Sequence, residues 1–324
     1  MSNSTDVEIP GETKRQAMLG FYIGILIVGF AGNSLVMAVV AGKRHKRSVY
    51  DLFILNLGIS DFSFIVFTMP TYIYENVKGI YKTLYYCRIV QPLLTIFYFL
   101  SIFTITSMAI HRCRLITNPH KPKIKKKFVY LWIGFIWISS LITVLPLSIV
   151  AYAEDGRCQE DWPSLNHRKA YTVALFLLQF VLPLLTIAVA YVRIGIYLWR
   201  TTVPDNSLSE GKNKKPQKRR HENIQVIKTL ALIVFLFAVC LLPGQIAWLL
   251  FDFGGARELK VSMVIFHFSD ILDCLHGCVN PIIYGFLTEQ FRRKYVEYFS
   301  YCFTCRRKKQ LMEPATLMAE NTEN

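Results

Sequence analysis

An aspartate in the middle of an apolar run is the residue of this chain best placed to do chemistry. Asp61 lies inside the stretch Leu52–Tyr74, and other apolar runs carry Asn33, Ser101, His276 and Asn280. An ionised carboxylate in such surroundings is costly unless it finds partners, so it must turn toward other segments of the chain. Three chemistries fit it. Ringed by neutral oxygens, it can hold a monovalent cation, since hard cations take oxygen ligands. It can serve only as a hydrogen-bond anchor for Asn280 and water, or it can relay protons in a transporter. Enzyme chemistry fits poorly: there is no His-x-x-x-His, Gly-x-Ser-x-Gly or phosphate loop, and a lone acid is not a catalytic constellation. A second set of acids, Glu75, Glu154, Asp155, Glu160, Asp161, Asp252, Asp270 and Asp273, gathers toward one end of the apolar runs. That makes an acidic mouth suited to steering a cationic ligand.

The elements that must position these groups are seven long apolar stretches: Met18–Ala41, Leu52–Tyr74, Ile89–Ile110, Phe128–Tyr152, Ala170–Val192, Thr229–Phe251 and Val261–Leu287. Each is long enough to cross a bilayer core of about 30 Å as a helix, which takes about 20 residues. Lipid offers the backbone no partners, so a spanning segment is a helix or part of a closed barrel. Barrel strands of about 10 residues would alternate in polarity, and these runs do not. The expectation is an all-α membrane protein: a seven-transmembrane-helix bundle over 18–287, an N-terminal tail over 1–17, a short amphipathic eighth helix over 288–301 and a cytoplasmic tail over 302–324. In that eighth helix Phe291, Tyr295 and Tyr298 recur at helical spacing around Arg292, Arg293 and Lys294, the pattern of a helix lying on a leaflet. Prolines stand in five spans (Pro70, Pro146, Pro183, Pro243, Pro281), where each removes a backbone hydrogen bond and creates a hinge or a fixed kink.

Composition agrees, with 53% hydrophobic and 18% charged residues and a mean hydropathy of +0.33. The net charge of +15 invites a nucleic-acid reading, but its placement argues for topology instead. Of 37 Lys and Arg, 25 lie on the side of the segments after spans 1, 3, 5 and 7, and 10 on the other side. The positive-inside rule puts the 25 in the cytoplasm and the N-terminus outside, with membrane lipids as the partners of the basic loops and no nucleic acid. The first span reads as a signal-anchor helix and not a cleaved signal peptide. Asn3 heads an Asn-Ser-Thr glycosylation sequon on the outer side. Cys87 and Cys158 also lie outside, where an oxidising milieu predicts a disulfide tethering the segment between spans 4 and 5 over the bundle. Cys240, Cys274 and Cys278 read as packing residues, while Cys302 and Cys305 after the amphipathic helix are candidates for palmitoylation.

The motifs resemble one family in order, one per span. They are Gly32-Asn33-Ser34; Leu55-Asn56-Leu57 with Asp61; Cys87; Arg112; Trp137; Pro183 with Tyr191; Phe237-x-x-Cys240-x-x-Pro243; and Asn280-Pro281-Ile282-Ile283-Tyr284. Together they resemble the rhodopsin-like (class A) G-protein-coupled receptors, from about Phe21 to Cys305. The resemblance implies a sodium pocket at Asp61, Ser101, His276 and Asn280, with sodium as an allosteric modulator and no other cofactor. It also implies a switch built on Arg112, Tyr191 and Tyr284, with Phe237, Leu241, Pro243 and Pro281 along its course, that admits a heterotrimeric G protein as the sixth helix swings out. Two positions depart from the family. His111-Arg112-Cys113 stands where Asp-Arg-Tyr is usual, and Leu241 stands where a Trp is usual. The missing Asp predicts a less restrained Arg112 and raised basal signalling, unless Glu222 replaces it.

The ligand class is narrowed by what is missing. Opsins hold retinal through a Lys where this chain has Cys274, and amine receptors carry an Asp where this chain has Leu94. The run from Cys158 to Pro163, with Arg168, Lys169 and Tyr171 and then Tyr191-x-Arg193-Ile194, is similar to neuropeptide FF and other RFamide receptors, with neuropeptide Y and orexin receptors nearby. In such receptors an Asp near the top of the sixth span pairs with a ligand arginine, which implies that role for Asp252. Asp270, Asp273, Glu75, Gln91 and Trp248 complete the expected ligand-facing set. The expectation is therefore a non-enzymatic plasma-membrane receptor for an extracellular neuropeptide, an amidated, arginine-containing one being a candidate. A lipid or other small-molecule ligand is the alternative, and a seven-helix transporter a distant one, since no inverted repeat is present.

Overall fold

The computed structural model describes residues 11–43, 46–79, 82–200, 214–289, 291–298 and 300, without the side chains of 13, 14, 214–223, 225, 226 and 267. Asn3, Cys302, Cys305 and the Glu222 side chain therefore lie outside the described residues. Among the described residues, seven helices are long and apolar enough to cross a membrane. They are α1 (Glu12–Gly42), α2 (Val49–Lys78), α3 (Tyr86–Thr117), α4 (Lys126–Val150), α5 (Leu165–Arg200), α6 (Lys214–Phe253) and α7 (Ala256–Leu287). Residues 291–298 form an eighth helix, α8.

The helices outrun the apolar stretches, because polar caps and charged turns continue them into the water layer. α2 begins at a capping box: Ser48 Oγ accepts from the Asp51 N–H at 3.1 Å, and Asp51 Oδ2 accepts from the Ser48 N–H at 2.7 Å. Lys43, just after α1, closes an ion pair on Asp51 and so fixes the α1–α2 corner. α3 and α5 each contain one wide π-type turn, Tyr86–Val90 and Leu177–Val181. A proline lacking an N–H follows each within two residues, Pro92 and Pro183, so the regular hydrogen-bond ladder is already broken there.

The helical bundle is as expected, and one short hairpin joins two of its helices. Ala151–Glu154 and Arg157–Glu160 form an antiparallel hairpin, β1 and β2, in register Ala151 with Glu160. Tyr152, expected at the end of the fourth span, is in β1. The reason is local: Asp155 (φ 49°) and Gly156 (φ 71°) supply the two left-handed residues of a tight hairpin turn. Three contacts seat the hairpin across one end of the bundle. They are the Cys87–Cys158 disulfide, Arg88 Nε donating to the Ala151 carbonyl at 2.8 Å, and the Lys82 N–H donating to the Gly156 carbonyl at 2.8 Å.

α3 runs through the middle of the bundle, and Phe99, Leu100, Thr104, Met108 and Ala109 are fully buried along it. α4 lies at the rim and turns Leu131, Phe135, Ile138, Ile142 and Ile149 outward, toward where lipid would be. α1 and α7 touch so closely that a Cβ on Gly32 would stand 2.8 Å from Pro281 Cβ. One polar hub joins three helices: Asn56 Nδ2 donates to Thr104 Oγ1 at 2.7 Å, and Asn56 Oδ1 accepts from Trp137 Nε1 at 3.0 Å. Asn56→Ala leaves Trp137 Nε1 without its acceptor and removes the α2–α3 bond, although the Thr104 hydroxyl keeps the Leu100 carbonyl at 2.6 Å, and should cost roughly 1–3 kcal/mol of stability. Thermal unfolding of the purified protein checks this; a midpoint equal to that of wild type contradicts it.

Candidate functional site

A cavity of about 140 Å³ opens at the hairpin end between α3, α5, α6 and α7. Gln91 and Tyr98 of α3, Gln179 of α5, Gln245 and Trp248 of α6 and Asp273 of α7 are among its walls, and Leu241 also lines it. The missing tryptophan at Leu241 is thus a missing ring in the wall of this cavity. Gln179 Oε1 accepts from Gln245 Nε2 at 3.1 Å, joining α5 to α6 across the cavity. Trp248 packs edge-on against Phe266 of α7 at 5.0 Å. A second cavity, about 110 Å³, lies directly under the hairpin and shares Gln91 and Trp248 with the first.

Two acids of the expected mouth, Asp252 and Glu75, are neutralised from within. Asp252, assigned to a ligand arginine from the sequence, already has one: Arg168 Nε lies 2.7 Å from Asp252 Oδ1, and the Asp252 side chain is only 3% exposed. The Thr172 hydroxyl donates to Oδ2 of the same carboxylate, and the Arg168 guanidinium lies 5.0 Å from the Phe251 ring centre. Arg168 and Thr172 are four apart on α5, so they present one face to α6. That spacing was the available signal for this pair, because two polar residues one turn apart in an apolar helix share a target. Glu75 is likewise paired, with Lys82 at 3.5 Å. Asp270 and Asp273 have no lysine or arginine within ion-pair distance among the described residues. Only Asp273 of the two lines the cavity.

Deeper in the bundle the polar residues around Asp61 divide. Asp61 is 0% exposed. Ser101 Oγ donates to its Oδ1 at 2.8 Å and Asn280 Nδ2 to its Oδ2 at 2.7 Å, joining α2, α3 and α7. Ser60 adds a second hydroxyl 3.0 Å from Ser101 Oγ. The other two candidates do not join this group. Asn33 Nδ2 instead donates to the Gly277 carbonyl at 2.8 Å, because the close α1–α7 contact brings that carbonyl within reach. His276 makes no hydrogen bond to the described residues through either ring nitrogen; its ring sits edge-on to Phe237 at 4.9 Å and 5.8 Å from Tyr98. Asp61 has only neutral donors, so a monovalent cation fits the charge and the oxygen-rich surroundings.

At the end opposite the hairpin, Arg112 has no carboxylate within ion-pair distance among the described residues. Its guanidinium lies instead over the ring of Tyr50, 4.0 Å from the centroid. Sequence reasoning missed Tyr50 because it falls two residues before the expected second span. His111 faces Phe53 at 6.2 Å and does not restrain Arg112. The hydroxyls of Tyr191 and Tyr284 find no partner among the described residues. Tyr284 stacks on Phe291 of α8 at 5.2 Å, and the Tyr295 hydroxyl donates to the Pro281 carbonyl at 3.4 Å. The eighth helix therefore braces the end of α7 that carries Tyr284.

Comparison with known proteins agrees with this architecture. The model of the 7 transmembrane receptor (rhodopsin family) matches residues 32–284. Neuropeptide FF receptor 2 of Mus musculus is 30% identical over 306 residues, 87% of this chain and 72% of the relative. Galanin receptor type 1 of Mus musculus is 30% identical over 298 residues, 87% of this chain and 80% of the relative. The RYamide receptor of Drosophila melanogaster is 30% identical over 292 residues, 85% of this chain and 61% of the relative. With seven membrane-length helices, a disulfide-tethered hairpin and a family match over most of its length, this multi-pass membrane protein belongs to the rhodopsin family of seven-transmembrane receptors.

Proposed function

We propose that the protein is a plasma-membrane receptor, N-terminus outside, that is activated by an extracellular neuropeptide and passes the signal to a heterotrimeric G protein. The observation that carries the peptide reading is the first cavity, at the hairpin end, whose walls combine aromatic rings, amides and two carboxylates. Such a mixture suits a peptide end, with apolar area for binding and a few polar groups for orientation. Relatives named for neuropeptide FF, galanin and RYamide support the same class. The basic segments at the other end would face the cytoplasm. There Arg112, Tyr191 and Tyr284 would meet the G protein. Sodium at Asp61 would favour the resting packing, as a ligand that binds one of two states must. Glycosylation at Asn3 and palmitoylation at Cys302 or Cys305 belong to the same reading.

A panel of C-terminally amidated neuropeptides, applied to cells expressing the full chain with calcium and cAMP read together, tests the proposal. The expected result is a saturable response to at least one arginine-containing amide. Silence across that panel with a response to a lipid panel overturns the peptide class.

A further inference from the structure

Two carboxylates near the hairpin end differ in how their charge is balanced. Asp252 is closed: Arg168 and Thr172 hold both of its oxygens. A ligand cation arriving there would have to expel an internal arginine and strand it, gaining little. Asp273 is open. It lines the cavity between α3 and α7; Tyr98 hydrogen-bonds its carboxylate, and no lysine or arginine stands within ion-pair distance among the described residues. The neighbouring wall is Gly244 of α6, where even an added Cβ would be 4.0 Å from Asp273 Oδ2. The side of the carboxylate facing α6 is thus left free of bulk.

The same cavity contains unfilled hydrogen-bonding capacity. Gln179 is 6% exposed and lines the cavity. Its oxygen is satisfied by Gln245, but its Nε2 has no partner among the described residues. Gln91 Oε1, on the α3 wall, also has none among those residues. Buried donors and acceptors are almost always satisfied, so groups left open around one cavity mark where another molecule supplies the partners. Here the open set is an anion, an amide donor and an amide acceptor.

We propose that Asp273, and not Asp252, is the counter-ion for a cationic group of the ligand, a guanidinium or an ammonium seated in this cavity, with Gln91 and Gln179 bonding the polar groups next to it. The proposal rests on the reading of this cavity as the ligand site. The Arg168–Asp252 pair then has a different role. It joins α5 to α6 beside the site. Glu160 of β2 also lines the cavity, but Trp162 Nε1 donates to its carboxylate at 2.7 Å, which leaves Asp273 as the uncompensated carboxylate on the helical wall. A charge-assisted bond made away from bulk water is strong, and its loss should weaken binding of the cation by about tenfold or more.

The test uses L-argininamide as a cationic probe and L-citrullinamide as its neutral isostere, each titrated against the purified full-length receptor while thermal unfolding is followed. Wild type should be stabilised by L-argininamide and not by L-citrullinamide, because binding to the folded state raises the unfolding midpoint. Asp273→Asn should need about tenfold more probe for the same shift. Asp273→Glu, which keeps the charge, should recover part of it, so a poorly folding Asn variant does not decide the outcome alone. The Arg168→Gln/Asp252→Asn double variant should still respond. The proposal is overturned by an undiminished shift in Asp273→Asn, by an equal shift with the neutral probe, or by no shift in wild type. Failure of the peptide reading is separable. A charge-dependent argininamide shift without any peptide response in cells removes the peptide and keeps this site. Peptide activation that survives Asp273→Asn does the reverse.

Discussion

Arg168→Ala is expected to lower the stability of the receptor by about 3 kcal/mol, toward the lower end of the roughly 3–5 kcal/mol seen when one partner of a buried ion pair is removed. The cost comes less from the lost attraction than from what remains. Asp252, with its side chain 3% exposed, would keep its charge with only the Thr172 hydroxyl to support it. Arg168 is 25% exposed, so water can enter where it stood, which places the value at the lower end. Loss of the guanidinium face over Phe251 adds a smaller share. The informative control is Arg168→Met with Asp252→Asn, which removes both charges and keeps much of the apolar volume. It should recover most of the loss. Thermal unfolding followed with a thiol-reactive dye suits the measurement, because Cys113, Cys240, Cys274 and Cys278 are free and buried. A single-variant cost below about 1 kcal/mol, the ordinary worth of a surface ion pair, would mean that the pair is not buried in any energetic sense.

Tyr50→Ala is expected to raise basal G-protein activation, and His111→Asp to lower it. Arg112 has no acidic partner among the described residues and rests on the Tyr50 ring at 4.0 Å. That contact ties the guanidinium to α2. A cation over an aromatic face is worth about 2 kcal/mol when desolvated. Losing about 1–2 kcal/mol from the resting packing changes the ratio of the two states by a factor of about 5–30. Tyr50→Phe keeps the ring but loses the hydroxyl that bonds Arg112, so a basal rate between those of wild type and Tyr50→Ala is expected, which separates the ring face from the hydroxyl. His111→Asp puts a carboxylate beside Arg112 on the same helix and should restrain it further. Basal nucleotide exchange on co-expressed G protein reads all three. Equal basal rates in wild type, Tyr50→Ala and His111→Asp would show that Arg112 is not held by its surroundings at all.

The parts of this protein that follow from periodicity and solvent were visible in the sequence. Seven apolar runs became seven helices, because a lipid-facing backbone has no other way to satisfy itself. Asp61 with Ser101 and Asn280 was also legible, since a carboxylate inside the bundle must find neutral donors. The hairpin was missed although Asp155-Gly156 announces it, because only four residues per strand flank the turn. Arg168 was noticed as part of a local run but not matched to Asp252, which lies far along the chain on another helix. Nothing in either residue's neighbourhood says that α5 and α6 will bring them together. Asn33 and His276 failed for the same reason: a polar residue in a span must bond or pack, but the choice of partner is made by helix packing.

The contrast between α3 and α4 sets how freely each can be rewritten. Along α3, Leu100, Met108 and Ala109 each fill a space shaped by other helices, so the local alphabet is narrow. On the outward face of α4, Leu131, Ile138 and Ile142 answer only to oiliness, and any apolar side chain spells the same instruction. Two helices of similar hydrophobicity therefore carry very different amounts of information. Drift among descendants of this chain can accumulate on α4 with little consequence for the cavity or the switch.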